Sequence, residues 1–173
     1  MRQRCLRLLF LLAVSSTLAC GYALVGRASN VPEDVKRVYL KPFENRTPRP
    51  QVEQILTRAI ADELVTRQRF AVASDPAAAD AEISGAVVGF GVTPVTFDTN
   101  GRAIEYEISI TSQVRFRRLS DDQTLWSNDR YLFRQSYPLE ISDTGYFDRE
   151  NLAIEDVAGR FAETMVSDLL EGF

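Results

Sequence analysis

Residues Ile104–Arg117 read IEYEISITSQVRFR. Ile104, Tyr106, Ile108, Ile110, Val114 and Phe116 alternate with Glu105, Glu107, Ser109, Thr111, Gln113, Arg115 and Arg117. An apolar row opposite a polar row with a period of two is the pattern of an antiparallel strand with one face on a core and one in water. The neighbouring segments extend the reading. Asp98-Thr99-Asn100-Gly101-Arg102 precedes it as a hairpin turn, because an Asn-Gly pair tolerates the positive backbone angles such turns use. Ser120–Gln123 makes the next turn. Thr124–Tyr137 returns as a strand, with Trp126, Tyr131 and Phe133 as packing candidates. Upstream, Ile83–Val92 (ISGAVVGFGV) is apolar, and Gly85, Gly89 and Gly91 predict bends or bulges, with Pro94 ending the regular part.

Helices flank this meander. Val52, Ile55, Leu56, Ala59, Ile60 and Leu64 recur at three- and four-residue steps and predict a helix over about 50–66. Ile154, Val157, Ala158, Phe161, Met165, Val166 and Leu169 predict a second, ending near Glu171 and preceded by a loop over 138–149. Lys36–Phe43 reads as a strand stopped by Pro42, and Glu44–Pro50 as a turn. Phe70–Ala73 is a short extended piece, and 75–80 a loop or single helical turn. The expected fold is α+β, in the order β-α-β-β-β-α: a four-stranded mixed or antiparallel sheet with both helices packed on one face.

The first residues set the location. Arg2, Arg4 and Arg7 precede a short apolar run (Leu8–Val14), and small residues then lead to Cys20 and Gly21. This is the layout of a secretory signal peptide, too short to remain as a membrane span. A cysteine directly after the cleavage residue points to a bacterial lipoprotein, with Cys20 lipidated as the first mature residue. Thr17 stands where such signals usually carry leucine. The expected organisation is a signal peptide over 1–19, a lipidated N-terminus and tether over 20–35, and one domain over 36–173. Gly21 instead of Asp after the cysteine means that the inner-membrane retention signal is absent.

Composition excludes several functions. Losing 1–19 takes the net charge from −4 to −7, because three arginines leave with no acid. An acidic chain lacks the basic footprint of nucleic-acid binding. There is no histidine, which removes Ser-His and Cys-His nucleophile pairs and histidine-metal sites. Glu105 and Glu107 share a strand face, but a solvated face is the simpler explanation. No catalytic residue, metal or cofactor is expected. The basic residues Lys41, Arg46 and Arg49 near the first strand's exit, Arg102 at the hairpin, and Arg115, Arg117 and Arg118 are of more interest. Guanidinium forks suit phosphates such as those of lipid A, although Arg115 and Arg117 also suit cross-strand charge balance with the glutamates on their face.

The opening Cys20-Gly21-Tyr22-Ala23-Leu24, the stretch Asn100-Gly101-Arg102-Ala103-Ile104-Glu105-Tyr106-Glu107-Ile108, Phe133-Arg134 and the C-terminal helix together resemble the LptE family of lipopolysaccharide-assembly lipoproteins. The resemblance covers essentially the whole mature chain. It implies an outer-membrane lipoprotein that plugs the lumen of a large β-barrel, LptD, helps it assemble, and meets lipopolysaccharide on its way to the outer leaflet. It marks Cys20 as the lipid anchor and the hairpin residues Asn100, Gly101 and Arg102 as candidate barrel or lipopolysaccharide contacts, to which Arg46 and Arg49 are added as candidates on their charge alone. Family members carry a basic residue at the hairpin tip; here Asp98 and Thr99 stand before the turn and Arg102 follows it. The basic residue in the loop before the last helix has only Arg149 nearby. A rival reading rests on Val38–Thr47 (VYLKPFENRT), which is similar to a phrase in periplasmic lipoproteins that activate a peptidoglycan synthase or belong to secretion pores.

Overall fold

The computed structural model describes residues 31–138 and 146–172. The alternating stretch forms β5 (Ala103–Arg118), between β4 (Ala81–Phe97) and β6 (Thr124–Pro138) in an antiparallel meander. The first strand, β1 (Arg37–Leu40), lies parallel to β4 on its other side, and β3 (Ala71–Ala73) lies parallel to β1. The sheet order is β3-β1-β4-β5-β6, and a two-residue β2 (Glu44–Asn45) also pairs with β4. The expected four strands are therefore six. The two additions are too short to display an alternation, and β2 falls within the stretch read as a turn. Backbone pairing creates them: Lys41 N–H donates to the Ile83 carbonyl at 2.9 Å and Arg46 N–H to that of Val87 at 2.9 Å, so the chain runs on along β4 past Pro42.

Helix α1 (Val52–Arg67) starts after Gln51, which takes a left-handed conformation, so Pro50 stays outside it. Helix α2 (Tyr146–Glu171) begins inside the stretch expected as a loop; residues 139–145 of that loop lie outside the described residues. The 146–151 sequence (YFDREN) has no apolar periodicity, yet residues such as Arg and Glu propagate a helix readily. A single-turn 3-10 helix occupies Pro76–Ala78.

Both helices cover one face of the sheet. Val52, Leu56, Ile60 and Leu64 from α1 meet Ile154, Phe161, Met165 and Leu169 from α2 over Ile83, Val87, Ile108, Ile110 and Phe116, all buried in one cluster. Phe161 is central, with edge-on contacts to Tyr131 at 5.5 Å and Phe133 at 5.9 Å. Gly85 is needed here: a Cβ would lie 2.6 Å from the buried Phe43 ring. Ser112 sits on this apolar face, fully buried, and its hydroxyl has no hydrogen-bond partner among the described residues. Tyr131 donates to Asp168 at 2.6 Å; burial and that carboxylate push the phenol above its ordinary value.

The regular register of β4 ends at Pro94, which pairs with Tyr106, as expected, but the strand itself continues to Phe97. Beyond Val87, the described residues pair β4 with β5 alone, and an edge is where a strand tolerates proline. Of the bulges expected from the glycines, one is found, a register shift at Val87/Gly89, while Gly85 and Gly91 pair in regular register; two further shifts, at Pro94/Thr96 and Thr96/Phe97, lie near the hairpin.

Candidate functional site

The turn at the distal end of β4 and β5 is built on Asp98. Its N–H donates to the Arg102 carbonyl at 2.8 Å, and its carbonyl accepts from Gly101 N–H at 3.0 Å. Its carboxylate accepts from the N–H groups of Asn100 at 2.8 Å and Arg102 at 2.9 Å. Gly101 has φ of +76°, whereas Asn100 is not among the residues with positive φ. The loop is thus a turn ending in a left-handed glycine, a three-residue form, and not the Asn-Gly pair expected from sequence. Arg102 is exposed, and its guanidinium makes no ion pair with a described residue.

This end of the meander is unlike the rest. Val95 is 46% and Phe97 56% exposed, so large apolar side chains face solvent at the hairpin. Tyr106 and Tyr137 stack across strands at 6.0 Å, and Thr96 donates to Glu105 at 2.7 Å.

The face opposite the helices is polar. Arg117 pairs with Glu82 at 3.5 Å and with Asp122, so its balance comes from β4 and the next turn instead of Glu105 or Glu107. Arg118 pairs with Asp121 at 2.8 Å and Asp34 at 3.4 Å. Arg46 bonds to Glu44 at 2.8 Å and Gln113 at 3.3 Å, and its guanidinium holds the Glu44 carboxyl below its usual value. Arg49 donates to Asn151 on α2 at 3.0 Å and lies 5.8 Å from the Phe90 ring centre, which makes it a tie between elements. Lys41, Arg46 and Arg115 line an open basin of about 610 Å³ whose floor includes Ser84 and Ala86.

The expected contacts therefore fall into separate places. Asn100, Gly101 and Arg102 share the hairpin tip. Arg46 lies beside Val87, ten residues back along β4, roughly 30 Å away at the rise of a strand. Cys20 lies outside the described residues. Sequence spacing did not bring Arg115 to Lys41, nor add Gln113 and Asp129, which also line the basin; only the register of β4 against β5 and β6 does so. Among the described residues no group of His, Cys, Asp or Glu is placed to hold a metal, and no helix is long and apolar enough to cross a membrane.

The fold has relatives of known structure. It is similar to a PelC dodecamer from Paraburkholderia phytofirmans (17% identity, 83% of this chain and 95% of that one, TM-score 0.52). Rare lipoprotein B from Shewanella oneidensis is similar at 14% identity, with 78% and 93% covered and a TM-score of 0.51. A hypothetical protein from Chlamydia trachomatis has 11% identity, 80% and 97% coverage and a TM-score of 0.55. Comparison with curated protein sequences gives no match. The architecture is thus an α+β form used by bacterial lipoproteins. Within it, the sequence model of the lipopolysaccharide-assembly family LptE matches residues 35–169, and the chain belongs to that family. It is a lipopolysaccharide-assembly lipoprotein of a non-enzymatic family.

Proposed function

We propose that this chain plugs the lumen of an LptD-type outer-membrane β-barrel, helps that barrel assemble, and takes part in moving lipopolysaccharide to the outer leaflet. The observation that carries this reading is the distal β4–β5 hairpin, which ends in a closely bonded turn and joins a polar sheet face. A barrel interior is itself polar, so such a face suits it, while Val95 and Phe97 supply apolar anchors. Segment 1–19 is removed as a signal peptide, Cys20 carries the acyl chains, and residues 20–35 tether the 36–173 domain to the periplasmic side of the outer membrane. Each buried methylene contributes about 0.8 kcal/mol, and stable anchoring takes more than one chain.

A pull-down of the tagged protein from outer membranes in mild detergent tests this. One large β-barrel in equal amount is the expected result; a cell-wall synthase, or no partner, overturns it. One observation favours a second reading, a ring made of copies of this chain: the fold is similar to that of the chain in a PelC dodecamer. A ring of this chain alone in the same eluate would decide for it.

A further inference from the structure

Several arginines of the sheet are already engaged within the chain: Arg37 with Asp80, Arg117 with Glu82 and Asp122, Arg118 with Asp121. Lys41 and Arg115 differ. Both are exposed, and neither side chain makes a hydrogen bond or ion pair with a described residue. The topology nevertheless places them facing each other. Lys41 continues β1 beside β4, its N–H bonded to Ile83, and Arg115 pairs across β4 with Ser84. Two strand spacings separate them, about 10 Å. The floor between them carries only the small side chains of Ser84 and Ala86. Arg46 closes a third side, held in place by Glu44 and Gln113. Three cations thus ring a depression in a chain whose net charge is negative.

The chemistry of the lining narrows the occupant. At about 610 Å³ the basin is far larger than one phosphate needs and within the range that takes ligands of many atoms. Glu44 is held by Arg46, which leaves Lys41 and Arg115 as the open cations and Asp129 as an acid on the rim. One phosphate is too small to meet two cations about 10 Å apart, whereas two carboxylates along a stretch of polypeptide can be set one against each, with a backbone N–H free to donate to Asp129.

We infer that this basin is the docking site for an acidic turn of a protein partner. The partner's identity as the barrel rests on the plug reading; the chemistry of the turn does not.

The test uses the full-length chain in cells with a photo-crosslinking residue in place of Ser127, which pairs with Arg115 on β6 at the basin's margin. The expected crosslinked peptide carries at least two Asp or Glu residues within one turn. Its yield falls by about tenfold in the Lys41→Gln/Arg115→Gln double variant. Arg58→Gln, on the exposed side of α1, leaves the yield unchanged. A crosslink to lipid or sugar phosphate overturns the inference. So does a peptide without carboxylates, a yield indifferent to the double variant, or no crosslink from a chain that accumulates normally. If the acidic peptide belongs to a protein other than a β-barrel, the plug reading fails while the basin's role stands.

Discussion

The two ends of the β4–β5–β6 meander are made of similar strands and do different things. At the proximal end, β1, β3 and two helices enclose Phe116, Ile83 and Phe161, and Asp80 gathers the backbone N–H groups of Lys36 and Arg37 together with the Arg37 guanidinium. At the distal end the strands continue past this cover, Val95 and Phe97 face solvent, and Asp98 alone organises the turn. One end is closed by its own contacts, whereas the other keeps apolar and polar groups available. Stability and partner recognition should therefore respond to different substitutions.

Phe161→Ala sits at the proximal extreme. It removes a fully buried ring that touches Tyr131 and Phe133, and should cost about 3–5 kcal/mol in denaturant unfolding. A loss below 1 kcal/mol would mean that the two helices do not carry the core. Gly101→Val comes next and acts at the other end. A β-branched residue at φ of +76° costs about 1–3 kcal/mol. Because nothing lies near the missing Cβ, the cost should appear as faster amide exchange over residues 93–106, with little change in global unfolding. Asn100→Ala, lacking a positive φ to defend, should leave both unchanged. Ser112→Ala should act in the opposite direction, raising stability by about 1 kcal/mol, because it removes a buried hydroxyl that no described residue satisfies. Destabilisation there would reveal a hydrogen bond to that hydroxyl.

The smallest effect concerns acid. The Arg37 guanidinium, aided by the Arg37 and Lys36 N–H groups, lowers the Asp80 carboxyl to about 2. A depressed carboxylate contributes stability above its unfolded value of about 3.9, and that contribution disappears as pH falls towards 2. Asp80→Asn should lower stability at neutral pH and flatten the stability profile between pH 4 and pH 2. An unchanged acid slope would show that Asp80 is not a determinant of the proximal end.

Periodicity explains which parts could be read from sequence. The alternation along β5 and the three- and four-residue steps of α1 and α2 are direct consequences of burial on one face, and they placed the core correctly. The strands β2 and β3 have no such signature, since their existence depends on pairing with β4 and β1. Ser112 lies under the helices with no apolar side chain to announce it. At the site, the turn and Arg102 were legible because the residues are adjacent. Which of Asn100 and Gly101 carries the positive angle was not, because the Asp98 carboxylate determines it from two residues away. The meeting of Lys41 with Arg115 depends on register across three strands, and no local spacing encodes it.

The separation of the two ends is tested most directly by the amount of β-barrel recovered per molecule of tagged chain, for wild type and Gly101→Val, from the same mild-detergent extraction. The expected result is a chain present at wild-type level with most of the barrel gone. Equal barrel recovery, or a chain lost in proportion to the barrel, would contradict it and leave the hairpin as scaffold.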